Sequence, residues 1–178
     1  MLVLVTYASR HGSTEEIAQA IAAELQSPQL DIEVREAGAV RSLESYDAIV
    51  LGSAVYMGSW LPGARRFIER HRQQLPGMPV WLFSSGPLGA VSPKPQGDPT
   101  GLADVMSATC ALGHRIFSGK IDPGVLSLGE RLVSRMVNPP AGDFRDWDAI
   151  SRWTREIAAT LDPERRPAHG GTAATAPR

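Results

Sequence analysis

The chain has 178 residues, a hydrophobic content of 43% and a single cysteine, Cys110. That length suits one domain with a core large enough to need no staple, and a lone cysteine excludes an intrachain disulfide and fits a reducing compartment. With 18 basic against 19 acidic residues the net charge is -1, which argues against a general nucleic-acid binder and gives no strong field for steering partners.

The opening run Leu2-Val3-Leu4-Val5-Thr6-Tyr7 is almost continuously apolar, as expected of a strand covered by helices on both faces. No basic residue precedes it, and Arg10 and His11 follow at once, so it reads as a strand and not as a signal peptide or membrane span; a cytoplasmic location is expected. Ile17, Ala18, Ile21, Ala22 and Leu25 then recur at spacings of three and four, one stripe of a helix that Pro28 ends. Asp31-Ile32-Glu33-Val34-Arg35 alternates charged and apolar residues, the pattern of an edge strand. Residues 48–53 and 80–84 are again apolar and predict central strands. Between them Ala64, Phe67, Ile68 and His71 mark a helix with Pro62 in its first turn, where the missing N–H has no helical partner. Residues 86–101 carry four prolines and four glycines and predict a long surface loop before a helix near 102–112. Arg115-Ile116-Phe117-Ser118 is the fifth strand candidate. Residues 122–143 form an amphipathic insertion, with Val125, Leu128, Leu132, Val133 and Met136 at helical spacing. Ile150, Trp153, Ile157 and Leu161 mark the last helix, capped by Asp146. Strands alternating with helices predict an α/β class with a parallel sheet. One domain is expected over 1–161, and 162–178, with no large apolar residue after Asp162, as a disordered tail.

Tyr7-Ala8-Ser9-Arg10-His11-Gly12-Ser13-Thr14 joins the first strand to the first helix. A helix N-terminus offers unpaired N–H groups and the positive end of a dipole, and this loop adds hydroxyls and a glycine. It lacks both the triphosphate and the dinucleotide glycine signatures, so a monophosphate fits best. The competing reading is a plain helix start, with Ser13 or Thr14 as cap and Glu16 closing a capping box. In doubly wound sheets ligands sit outside the carboxyl ends of the strands, where the winding reverses. The third strand ends in Gly52-Ser53-Ala54-Val55-Tyr56-Met57-Gly58-Ser59-Trp60 and the fourth in Ser84-Ser85-Gly86-Pro87-Leu88-Gly89. Aromatic and apolar faces sandwich a flat ring, and glycine-rich backbone bonds its polar edge. His11, His71, His114 and His169 are dispersed, so no metal site is expected. The four tryptophans Trp60, Trp81, Trp147 and Trp153 read as core, Trp60 lying in a ligand loop. Lys94, Asp98, Lys120, Arg131 and Arg135 fall in the irregular segments and read either as solvated surface or as contacts for a substrate carboxylate or anionic lipid.

Y-A-S-R-H-G-S-T-E-E-I-A, Y-D-A-I-V-L-G-S-A-V-Y-M-G and P-V-W-L-F-S-S-G-P-L-G resemble the FMN-binding loops of flavodoxins. With the later G-D-F-R-D-W, they look closest to the branch that holds the menaquinone-dependent protoporphyrinogen oxidases. The resemblance implies a flavodoxin-like doubly wound sheet of five parallel strands, order 2-1-3-4-5, with helices on both faces. It implies that Ser9, Arg10, His11, Gly12, Ser13 and Thr14 hold the FMN phosphate, His11 standing where short-chain flavodoxins carry a hydroxyl residue. Ser53, Ala54, Val55, Tyr56, Met57 and Gly58 match the loop on one side of the ring, and Ser84, Ser85, Gly86, Pro87, Leu88 and Gly89 the loop on the other. The Met57–Gly58 peptide is the candidate partner of flavin N5, with no side chain acting as nucleophile or base. The implied function is oxidation of protoporphyrinogen IX in haem biosynthesis with a quinone as acceptor; the apolar stripe of 122–143 reads as a contact for a membrane-dissolved quinone, as a cover for a large apolar substrate, or as a face packed on the domain. Two alternatives stand beside it: a diffusible carrier serving a redox partner protein, and a noncatalytic binding module of the same fold.

Overall fold

The structure is a computed structural model that describes residues 1–86, 97–121 and 142–162. Its elements are β1 (Leu2–Ala8), α1 (Ser13–Leu25), β2 (Asp31–Glu36), β3 (Ala48–Tyr56), β4 (Ser59–Trp60), α2 (Pro62–Arg70), β5 (Val80–Gly86), α3 (Leu102–Thr109), β6 (Gly113–Ser118), β7 (Lys120–Ile121), β8 (Gly142–Asp143) and α4 (Trp147–Leu161). A single 3-10 turn, Leu75–Gly77, precedes β5.

Five parallel strands form the main sheet in the order β2-β1-β3-β5-β6, which is the expected 2-1-3-4-5 once the short β4 is left out of the count. β4 lies antiparallel on the end of β3, and that pairing extends β3 to Tyr56, past the predicted end at Ser53. The central strands are apolar at successive positions because each feeds two cores. Val3, Val5, Val50, Trp81 and Phe83 pack with α1 and α4. Leu4, Ile49, Leu51, Val80 and Leu82 pack with residues of α2 and α3 on the opposite face. Strand geometry requires this division, since neighbouring side chains point to opposite faces.

Under α4 the rings of Phe83, Phe117 and Trp153 meet at 5.6 to 6.2 Å between centroids, in the tilted and edge-on arrangements that aromatic pairs favour. The predicted cap of α4 is present: Asp146 Oδ1 accepts the Ala149 N–H at 2.8 Å. α3 stops at Thr109, short of the predicted 112, where Cys110 turns left-handed and its N–H closes the helix on Ser107 O. The predicted tail beyond Asp162, most of the insertion and most of the long loop fall outside the described residues.

Candidate functional site

Register brings the three candidate loops to one level. Ala8 lies opposite Ser53 across β1 and β3, and Ser53 opposite Ser84 across β3 and β5. The chain therefore leaves all three strands at the carboxyl edge of the sheet, on either side of the point where its winding reverses.

In the first loop Gly12 takes a left-handed φ of +83°, which a side chain would strain, and caps α1. Its N–H donates to Ser9 Oγ at 3.1 Å, and its carbonyl accepts the Glu16 N–H at 2.9 Å to begin the helix. No side chain caps α1. The capping-box reading is thereby overturned, because Ser13, Thr14 and Glu16 are each engaged elsewhere. Ser13 Oγ accepts the Lys120 N–H at 3.1 Å. The buried Thr14 hydroxyl bonds the Ser85 hydroxyl at 2.7 Å, tying the first loop to the third. Glu16 reaches Arg145. Arg10 is exposed, with its guanidinium 4.2 Å from the centre of the Tyr56 ring, and His11 is half-buried beside it in the loop.

Tyr7, at the foot of this loop, has its hydroxyl pushed up to about 12 by burial, by a hydrogen bond to Glu15 and by the charges of Glu15 and Glu36. It stays a neutral donor throughout the working range, and it draws the Glu15 carboxylate towards itself.

The second loop is a tight hairpin. Tyr56 pairs with Ser59, leaving Met57 and Gly58 as the connection, both with positive φ, +50° and +76°. Two such residues in a two-residue hairpin are the requirement of a type I′ turn. Met57 is 89% exposed and Tyr56 39%. Gly58 O accepts the Thr100 N–H at 2.8 Å, so the turn is held from the segment that follows the long loop. Ala54 and Val55 are half-buried, while buried Ser53 accepts the Leu61 N–H at 3.0 Å and fixes the path of the chain into α2.

In the third loop Ser84 and Ser85 are buried. The Trp60 indole N–H donates to Ser84 Oγ at 2.7 Å, and Ser84 stands 2.8 Å from His114 Nε2. Burial holds His114 below its usual range, only partly opposed by the charge of Asp98. Trp60, Ser84 and His114 form one hydrogen-bonded chain. Trp60 is thus a buried brace between two loops. Gly86 O accepts the Gly119 N–H at 2.6 Å. Pro87, Leu88 and Gly89 lie outside the described residues.

A fourth side of the site joins Lys120 to the G-D-F-R-D-W run, a pairing that no local sequence pattern announces. Lys120 pairs with Asp143 and Ile121 with Gly142, making β7 and β8 a ribbon at the two ends of 122–141. A Cβ on Gly119 would sit 3.0 Å from Gly86 O and 3.4 Å from Ser13 Oγ, a crowded contact that glycine avoids as the ribbon approaches. Arg145, whose side chain is 4% exposed, holds the ribbon to α1, donating to Glu16 at 2.5 Å and to both carboxylate oxygens of Asp143 at 2.8 and 2.5 Å. Those bonds hold the Asp143 carboxyl below the usual carboxylate range. The guanidinium also lies 4.5 Å from the centre of the Trp147 ring, which, unlike the other tryptophans, is exposed. The only signal for Arg145 was its place in G-D-F-R-D-W.

The donor set fits a phosphate monoester: a helix start without a side-chain cap, the Ser9 and Ser13 hydroxyls at its rim, and a left-handed glycine that keeps the backbone bare. The exposed Tyr56 and Met57 beside it supply an aromatic and an apolar face. Among the described residues no cluster of His, Cys, Asp and Glu has the makings of a metal site, and no helix is long and apolar enough to cross a membrane.

A model of the family described as Flavodoxin domain matches residues 4–148. Protoporphyrinogen IX dehydrogenase [quinone] from Escherichia coli K12 is 22% identical over 91% of the chain and 97% of that relative. Probable flavodoxin 1 from Bacillus subtilis is 39% identical over 47% of the chain and 55% of that relative. Among solved structures, a flavodoxin from the domain Archaea superposes with a TM-score of 0.61 at 20% identity, covering 90% of this chain and 99% of its own.

Proposed function

The chain belongs to the flavodoxin domain family, whose cofactor is FMN, and from that premise we propose that it is an FMN-dependent oxidoreductase which oxidises protoporphyrinogen IX and passes the electrons to a quinone. In this reading residues 1–161 are the flavin-binding domain, cytoplasmic, with 122–143 meeting the inner face of the membrane where a quinone dissolves. FMN, when bound, supplies the redox chemistry, accepting electrons from one substrate and releasing them to another.

The chain's own residues bind and orient. The first-turn N–H groups of α1, with Ser9 and Ser13, hold the phosphate, and the loop Ser9–Thr14 supplies its positive field. Arg10, stacked on Tyr56, joins the phosphate side of the site to the ring side. Met57 and Gly58 present backbone at the mouth, and the Met57–Gly58 peptide is the group that would bond flavin N5. Ser53, Ser84 and Ser85 brace these loops from below, through Leu61, Trp60, His114 and Thr14.

One observation favours the oxidase over a simple carrier. The β7–β8 ribbon, built from the residues that flank 122–141, lies against the phosphate loop and ties that late part of the chain to the site. The near end-to-end match to the quinone-linked dehydrogenase agrees with it. The carrier reading draws its support from the shorter, higher-identity match to a flavodoxin.

The deciding experiment is anaerobic turnover by FMN-loaded protein with porphyrinogen and quinone varied separately. We expect porphyrinogen oxidation that requires the quinone and saturates in both. Failure of FMN-loaded protein to oxidise porphyrinogen with any quinone tried would return the chain to the carriers.

A further inference from the structure

Two carboxylates stand in the first turn of α1, Glu15 and Glu16, beside the helix start that is to receive a phosphate dianion. Left unpaired there, either would oppose the ligand. Glu15 is drawn to the Tyr7 hydroxyl. Glu16 is met by Arg145 at 2.5 Å and, more loosely, by Lys120 at 3.9 Å. Arg145 is itself held by the fork of Asp143, so its position does not depend on Glu16. The exposed Lys120 is free to follow solvent and contributes little at that distance, whereas the covered guanidinium is fixed. The four formal charges, Glu16 and Asp143 against Arg145 and Lys120, sum to zero.

We propose that Arg145 is a positioning residue for the flavin phosphate: it cancels the charge of Glu16 at the mouth of the anion-binding loop and pins the β7–β8 ribbon there, so that the loop accepts a dianion. This rests on the FMN reading. It extends the phosphate site beyond the first loop to a residue 129 positions away from its partner in the chain. Arg145 does not touch the phosphate; it acts through Glu16 and through Lys120, whose backbone N–H engages Ser13.

The sign of each substitution follows from the local charge. Arg145→Met leaves the cluster one unit negative, Glu16→Gln leaves it one unit positive, and the two together restore zero. A role confined to folding would not follow that ladder, nor would it distinguish FMN from riboflavin, which has the same ring and no phosphate.

The experiment is titration of the full chain with FMN and with riboflavin, in low salt, for the wild type and the three variants. Arg145→Met should weaken FMN at least tenfold, Glu16→Gln should tighten it about threefold, and the double variant should return to within threefold of the wild type. Riboflavin affinity should stay within twofold throughout. Glu16 is half-exposed, so Glu16→Gln keeps the test alive if Arg145→Met fails to fold. FMN affinity that is unchanged or weaker in Glu16→Gln overturns the proposal, as does loss of FMN and riboflavin together in Arg145→Met. Wild-type protein that takes up neither flavin overturns the FMN reading as well, whereas wild type that binds FMN with all variants indistinguishable overturns only the role of Arg145.

Discussion

At Gly52 a side chain cannot enter unless the Phe83 ring moves. A Cβ there would lie 2.0 to 2.5 Å from three atoms of the Phe83 ring, and Phe83 is fully buried between Trp153 and Phe117 with no room to turn aside. Gly52→Ala should therefore cost about 1–3 kcal/mol, read as a lower urea midpoint at unchanged slope. Adding Phe83→Leu should recover part of the loss; if it deepens the loss instead, the ring is not the obstacle. Met57 poses the opposite case. It holds φ at +50° while 89% exposed, so it carries the left-handed penalty without a packing contact to offset it. Met57→Asn, which tolerates that conformation, should stabilise the flavin-free protein by about 0.5–1 kcal/mol. The same change should weaken FMN binding if the thioether serves the ring, a trade of stability against function common at binding sites. A Met57→Asn protein no more stable than wild type would show that the turn is unstrained.

Between elements, the chain Trp60–Ser84–His114 joins β4, β5 and β6 and gives the fold a pH dependence. Burial depresses His114 and also His71, whose buried Nε2 has no hydrogen-bond partner. Both rings are neutral in the fold and take up protons near their usual pKa of 6.5 when unfolded. The unfolded chain therefore binds more protons in mild acid, and stability is full above that pH and falls as the pH drops through it towards the lower folded values. Urea midpoints should decline as the pH is lowered from 7 through 6.5, the side on which the unfolded rings take up protons first. His114→Gln should flatten that decline, and an unaltered slope would remove His114 from the explanation. Little of this tie was legible in the sequence. The apolar runs of β1, β3 and β5 announced themselves because burial on both faces leaves a local imprint. The bond from Trp60 to Ser84 and that from Thr14 to Ser85 join residues 24 and 71 positions apart, with no periodic pattern to report them. The ribbon of β7 and β8 has two residues in each strand, too few for any period. Glu16 shows the same limit from the other side: its spacing from Ser13 imitated a capping box, while a distant arginine decided its contact.

For the whole molecule the deciding quantity is net charge. A carrier that meets many protein partners gains its on-rate from a one-signed field, and such rates fall steeply with salt. This chain has a net charge of -1, and exposed charges of both signs stand side by side, as at Arg72 with Glu69, Arg115 with Glu156 and Arg155 with Glu24. Its long-range field is weak. Small uncharged quinones gain nothing from such a field, so turnover with a neutral quinone should change less than about threefold as salt is raised from roughly 0.01 M to 0.3 M, over which the screening length shrinks from about 30 Å to about 6 Å. FMN binding, by contrast, should weaken over the same range, because its phosphate is held by charge and dipole. Stopped-flow reoxidation of preloaded protein separates the two effects. A reoxidation rate that falls tenfold with salt while the FMN stays bound would show that electrons leave through a charged docking face, and the carrier would then be the better description of the molecule.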